Sequence, residues 1–518
     1  VELKPFRMKI QDLKKKFPKV NSRVNYEIKD AKINLLREIF ATVNLTELAN
    51  YQTFVEKNIH WLRYYSLFKI LTGLNRNKSW QEWELKYKYI SSLTAEKILT
   101  NHIREIEFIY WLQWQLYEQL TTIKKYAGRK GVFIMGDLPF LVSRDSADVW
   151  AYKNYFKLTL SSGAPPDMYF SMGQRWGMPP YNWDNIEAGN YSYIRERLFY
   201  AENFFDMFRI DHFIGLFRVW TIDLKTPEEL KGLYGRFDPE DKYYWEEHGK
   251  KILEVINNST TMLACAEDLG TVPDCSDKVL KEFGVTGINV QRWDKKWNGS
   301  FDFLSQEDYR INSVSTVSTH DSSFFPGWWK FEAGTIDEFS FKQICEKENI
   351  KDERYYQLLK NLFDASYTIK GRLLWKKEIS NVYLLLDHLQ MNFEQAKELT
   401  DIYLSSYGEK EKFWKYIGLP GDYEEMPTVK LINRTLEKIN STSSVFSIQL
   451  LMEYLYLDKK LLEYHSGWDF RINFPGTTGL VNWSILFPVT LEELKDIRIN
   501  EDLKKIITDS KRDIVSGL

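Results

Sequence analysis

The stretch "FFDMFRIDHF", residues 204–213, opens as an apolar run and then places Arg209, Asp211 and His212 within four residues. Its first half reads as a buried strand and its second as the polar end of that strand. Side chains two apart on a strand share a face, so Arg209 and Asp211 point the same way, with His212 turned from them. Three other runs follow the same plan. "GVFIMGDLPF" (131–140) reaches Asp137, "TMLACAEDLG" (261–270) runs into Glu267 and Asp268, and "SVSTVSTHD" (313–321) finishes at His320 and Asp321. Strand-like runs separated by helix-length segments predict parallel strands joined by crossovers. Their continuous apolar character suits strands covered on both faces. Acids gathered at C-terminal strand ends are the arrangement of a (β/α)8 TIM barrel. An open doubly wound sheet also puts its site there, but no Gly-rich phosphate fingerprint follows any of these strands. The predicted fold is therefore α/β, a TIM barrel with helical insertions.

Outward from these runs the chain divides by its rhythm. Residues 1–130 carry helical spacing, as in "NYEIKDAKINLLREIF" (25–40) and "IREIEFIYWLQWQLYEQLTTIKKYAG" (103–128), and are expected to form a helical segment. Residues 131–334 hold the catalytic barrel strands, with a loop at 161–184 rich in Pro, Gly and aromatic residues: Pro165, Pro166, Tyr169, Phe170, Trp176, Tyr181 and Trp183. Residues 335–440 read as a helical insertion. Residues 441–518, opening with "SSVFSIQLL" (443–451), read as the C-terminal end of the barrel.

Composition limits the classes of function. The 518 residues carry a net charge of −2, which gives no electrostatic case for nucleic acid or an anionic membrane. Three cysteines, Cys265, Cys275 and Cys345, lack metal-ligand spacing and suit a reducing, cytoplasmic compartment. No signal peptide or bilayer-length apolar run is read. Aromatics make up 16% of the chain and include 18 Trp, enough for a large aromatic core or a cleft lined with flat rings.

The charged strand ends suggest a chemistry. A guanidinium beside a carboxylate keeps that carboxylate ionised, so Asp211 next to Arg209 suits a nucleophile or charge stabiliser. Glu267 is the candidate protonated partner, and Asp321 supplies a third acid. One ionised and one protonated carboxyl flanking a bond equip a site for glycosidic cleavage. Clustered acids also hold divalent cations, but Arg209 competes for the same carboxylate, so no metal is expected. Any one acid alone could be a strand-end salt bridge. His212 is expected to play a structural part.

"FRIDHFIGLFRVW", "AEDLG" and "STHD", with "GDLPF" upstream, resemble the amylomaltases, the 4-α-glucanotransferases or disproportionating enzymes of glycoside hydrolase family 77. "DSADVWA" (145–151), "GAPPDMYFSMGQRWGMPPYNWD" (163–184) and "RINFPGTTG" (471–479) extend the resemblance over residues 20–330 and 440–490. It implies Asp211 as nucleophile, Glu267 as general acid/base and Asp321 as stabiliser of the transition state in a retaining double displacement. Arg209 and His320 are implied as sugar-binding neighbours of these acids, together with Asp137 of "GDLPF", Asp167 and Trp176 of the overhanging loop, and Asn473 and Pro475 of "RINFPGTTG". The implied substrates are α-1,4-glucans (maltodextrins), with glucose as an acceptor and no cofactor. A lid over the cleft would favour sugar over water as acceptor.

The chain departs from the family pattern at its start. It opens on Val1, and no counterpart of the segment carrying the family's first two strands and its Ser-Pro-Tyr sugar-contacting motif is found. These departures predict an N-terminally shortened barrel of about six strands, with exposed edges. "VNWSILFP" (481–488) also departs from the usual ending of its motif. Two other readings follow: an α-glucan hydrolase of the α-amylase type, in which water resolves the intermediate, and an inactive glucan-binding remnant.

Overall fold

The structure, a computed structural model, describes residues 4–512 apart from 19–22, 167–171, 298, 370, 465–466, 469, 478 and 480. Asp167, Tyr169 and Phe170 lie outside the described residues.

The fold is α/β, built around six short parallel strands: β1 (Met135–Leu138), β2 (Met207–Ile210), β3 (Leu263–Ala266), β4 (Gly287–Val290), β5 (Ser313–Thr316) and β6 (Phe446–Ser447). β1, β2 and β3 form one ladder, and β4, β5 and β6 another. A parallel bridge from Cys265 to Thr286 joins the two, with the Ala266 N–H donating to the Thr286 carbonyl at 2.6 Å. Spatial order therefore follows chain order, without the reversal that marks a doubly wound sheet. Phe208, Ile210, Ala266, Val290 and Val314 are buried. Among the described strands, β1 and β6 each have a single partner.

Two details differ from the sequence reading. β4, the segment "GINV", is too short and too weakly apolar to stand out as a strand; its ladder with β5 makes it one. In "SVSTVSTHD" the strand ends at Thr316, five residues before Asp321. Side chains take over the backbone groups beyond it: Gln449 Oε1 accepts from the Val317 N–H at 2.7 Å, and Ser322 Oγ accepts from Thr319 N–H at 3.0 Å.

The stretch 161–184 is not one loop. Leu160–Ala164 is a strand between Gln174–Arg175 and Val219–Asp223 in an antiparallel sheet completed by Arg236–Asp238. Its small residues Ser161, Ser162 and Gly163 gave no apolar signal, yet all three are buried. The sheet requires that smallness, because a Cβ on Gly163 would lie 2.0 Å from the Gln174 carbonyl oxygen. Trp183 opens a short helix, Trp183–Ala188.

Helices Glu27–Phe40, Ala49–Leu74 and Ile103–Arg129 pack through Phe40, Leu62, Leu71, Phe108 and Trp111 into the apolar core that also takes in Phe208 and Ile210. Helix Trp245–Asn257, between β2 and β3, buries Ile252, Leu253 and Ile256 at helical spacing. Between β5 and β6 the chain is mainly helical, with an antiparallel ribbon of Thr335–Asp337 and Arg372–Leu374. There Ile336, Phe341, Leu362, Trp375, Leu385 and Tyr403 form a core of their own. No described helix is long and apolar enough to cross a membrane.

Candidate active site

The register of β1, β2 and β3 sets Asp137 opposite Arg209, and Arg209 opposite Cys265. Arg209 is therefore central to the acids at the strand ends. Its Nη1 lies 2.7 Å from Asp137 Oδ1 and 3.0 Å from Asp211 Oδ1, and its Nη2 lies 2.8 Å from Glu267 Oε2. With 14% of its side chain exposed, Arg209 sits in a setting where an unpaired cation would be costly. Burial draws its proton affinity down, but Glu267, Asp211 and Asp137 more than offset that, and the pKa is raised.

Glu267 is the most enclosed of the site acids, with 20% of its side chain exposed, against 38% for Asp211 and 36% for Asp321. Burial pushes its carboxyl up to about 8; the neighbouring charges of Asp211 and Asp321 add to this, while Arg209 and the His212 N–H oppose it. Glu267 thus keeps its proton at neutral pH. The His212 N–H donates to Glu267 Oε2 at 2.7 Å. Next to it in the chain, Asp268 serves a different purpose. It is an enclosed acid bound to Arg310 and to the Ile288 N–H, and it ties β3 to β4.

His212 departs from regular strand backbone at φ 48°. Its imidazole lies against Phe140 and against the edge of Trp176, whose ring centroid is 4.8 Å away. Burial pushes its pKa down to about 4, so the ring is neutral. Gly215 permits this packing: a Cβ there would come within 2.7 Å of both the His212 and Phe140 rings. Trp176 is anchored by its indole N–H, which donates to Gln174 Oε1 at 3.0 Å. Arg144 braces the same wall by donating to the carbonyls of Gly177 and Leu158. Cys265, on the β3 face of Glu267, is buried, which pushes its thiol up to about 12 and leaves it inert.

Asp321 stands on the other wall. Asn473 Nδ2 donates to Asp321 Oδ1 at 2.7 Å, and the Asn473 N–H donates to the His320 carbonyl at 3.2 Å. His320 Nε2 is 3.5 Å from Asp321 Oδ2. Arg471, which sequence reasoning left without a role, donates to the Asp321 carbonyl at 3.2 Å. Its guanidinium lies over the rings of Trp468 and Phe474. Glu453, also unassigned from sequence, is wholly buried beneath this wall; it accepts from Ser318 Oγ and from the Phe325 N–H at 2.9 Å. Nothing in the chain around Glu453 separates it from an ordinary helix acid, whereas Arg471 at least stands in a quoted motif. Pro475 is half-buried in the turn that closes when the Thr477 N–H donates to the Phe474 carbonyl. A side chain added at the neighbouring Gly476 would come within 3.7 Å of Gln174, so this turn reaches the Trp176 wall.

Direct bonds thus unite Asp137, Arg209, Asp211 and Glu267 as one cluster, with Trp176 against its edge through His212. His320, Asp321 and Asn473 form a second cluster, coupled to the first by charge. Pro475 stands two residues beyond Asn473, in the adjoining turn rather than in either cluster.

A family profile described as 4-alpha-glucanotransferase matches residues 2–490. The 4-alpha-glucanotransferase of Chlamydia trachomatis is 30% identical over 436 residues, which cover 84% of this chain and 66% of that protein. That of Chlamydia muridarum is 36% identical over 313 residues, 60% of this chain and 58% of that one. That of Thermus thermophilus is 30% identical over 288 residues, 54% and 56%. The chain thus spans roughly three-fifths of the length of these relatives. Among solved structures, an amylomaltase from Streptococcus agalactiae in complex with acarbose shares the fold at a TM-score of 0.67 and 19% identity, covering 98% of this chain and 85% of that one. Amylomaltase from Corynebacterium glutamicum gives 0.63 at 20% identity, covering 98% and 63%.

Proposed function

Because the chain belongs to the 4-alpha-glucanotransferase family, we propose that it transfers α-1,4-glucan segments between maltodextrins by a retaining double displacement. The observation that carries this reading is the sharing of Arg209 by Asp211 and Glu267, with the Glu267 carboxyl pushed up to about 8. One guanidinium holds both carboxyl groups close, as suits the separation of about 5–5.5 Å typical of retaining enzymes. A wider gap, with room for a water, would suit inversion.

In the proposed reaction the Asp211 carboxylate attacks the anomeric carbon while Glu267 gives its proton to the departing glycosidic oxygen. The reducing-end fragment leaves, and a glycosyl ester remains on Asp211. Glu267, now a carboxylate, takes the proton from the 4-hydroxyl of an incoming glucan or of glucose as that oxygen attacks, and the ester bond breaks. Asp321, oriented by Asn473 and Arg471, stabilises the positive charge that develops on the sugar ring. Arg209, Asp137, His320 and Asn473 contact the glucan, Trp176 forms the wall that overhangs it, and Asp167, outside the described residues, is assigned a glucan contact by the family resemblance alone. Pro475 shapes the turn beside Asn473. The acarbose held by the Streptococcus agalactiae amylomaltase is in keeping with a saccharide in this cleft. We further propose that β1 to β6 are six strands of a (β/α)8 barrel, since they run parallel in unbroken chain order.

A trapping experiment tests the assignment. Glu267→Gln should accumulate a glycosyl adduct from α-maltosyl fluoride, whose leaving group needs no acid. Mass spectrometry of the digest should place that adduct on Asp211. An adduct on another acid would remove Asp211 from the nucleophile's role.

A further inference from the structure

The functional reading gives no part to Trp483, which lies in "VNWSILFP". Its backbone is left-handed at φ 53°, an unfavourable setting for a bulky residue. Its neighbours hold it there. The Trp483 N–H donates to the Ile472 carbonyl at 2.7 Å, and its own carbonyl accepts from Tyr26 Oη at 3.1 Å. On either side, Arg23 Nη1 donates to the Val481 carbonyl at 2.7 Å and to Ser484 Oγ at 3.0 Å, and the Val24 N–H donates to the Ser484 carbonyl. So much bonding would be expected to bury a tryptophan, yet 58% of Trp483 is exposed. Its ring lies 5.0 Å from that of His320, the neighbour of Asp321.

We infer that Trp483 is a stacking platform for a glucose unit of the α-glucan, the one lying beside the unit at Asp321. A pyranose presents a face of C–H groups that suits a flat, weakly hydrated indole, and its rim of hydroxyls is left to polar partners. The position fits both needs. The indole is open to solvent, and His320, Asp321 and Asn473 line the same wall. The residue acts on which glucans bind and in what register, and takes no part in bond making. Residues 23–26, through Arg23, Val24 and Tyr26, position it.

This inference rests on the transferase reading, and the test separates the two. Binding of maltoheptaose is measured calorimetrically on Asp211→Asn, with and without Trp483→Ala or Trp483→Phe, and KM and kcat are measured on the parent chain with each Trp483 variant. Trp483→Ala should weaken binding and raise KM by roughly 3- to 10-fold at little change in kcat. Trp483→Phe, which keeps a flat face, should recover most of the loss. Unchanged affinity in Trp483→Ala, alongside a parent chain that binds and turns over, would overturn the stacking alone. A fall in kcat at constant KM that Phe does not rescue would do the same by showing a merely structural part. A parent chain that neither binds nor converts maltoheptaose would overturn the transferase reading and the stacking with it.

Discussion

Arg209 is the residue on which the proposed chemistry turns, because one guanidinium serves three carboxyls while Glu267 keeps its proton. Two consequences of the Glu267 value are measurable. Transfer requires the acid form, so kcat/KM should fall about tenfold per pH unit once the pH passes about 8; a profile flat to pH 9.5 would contradict the assignment. The stability consequence has the opposite sign to that of an ordinary salt-bridged acid. The folded pKa lies above the ordinary 4.5, so the unfolded chain holds fewer protons between pH 4.5 and 8, and this group costs stability as pH rises through that range. Thermal melts of Glu267→Gln should therefore gain on the parent chain from pH 5 to pH 8, while its kcat falls by about 10²- to 10⁴-fold. Asp211→Asn should lose on the order of 10⁴-fold or more in turnover with its melt intact. The Arg209–Asp211 pair of this cluster could be read from "FFDMFRIDHF" by strand alternation alone, and Asp137 and Glu267 from the ends of two other runs. The protonation of Glu267 could not, since burial sets it and burial belongs to the assembled walls.

At the scale of elements, strand geometry decides which sequence signals were readable. β2 and β3 stand out because each is a dense apolar run ending in charge. β4 does not, since four residues opening on Gly287 gain strand character only from the ladder beside them. The sheet around Leu160–Ala164 was hidden for another reason: its small residues carry no apolar signal, and at Gly163 the Gln174 backbone leaves no room for a side chain. Gly163→Ala should accordingly lower stability by about 1–3 kcal/mol, as overpacking does. It should also loosen the Trp176 wall, which thermal melts and the ratio of transfer to hydrolysis would report together. An unchanged melt would contradict the 2.0 Å approach to the Gln174 carbonyl. Asp321 was legible as a residue, and its partner Asn473 through "RINFPGTTG", but the rest of its support was not. Gln449 and Glu453 come from more than 120 residues away with no local pattern to announce them, and Arg471, though it opens "RINFPGTTG", carries no local sign of its bond to the Asp321 carbonyl.

For the whole molecule, parallel strands in unbroken order bring acids from four separate stretches to one end. β1 and β6 each have one partner among the described strands, so their amides should exchange with deuterium faster than those of β2, which is paired on both sides. Equal protection across all three strands would show that the edges are covered. The central claim is transfer, and the most direct measurement is the product pattern from maltotriose, resolved by chromatography after incubation with the chain. The account predicts glucose together with maltodextrins longer than maltotriose, because a second glucan resolves the Asp211 ester. Glucose and maltose with no longer product, or no conversion by protein that melts cooperatively, would contradict it.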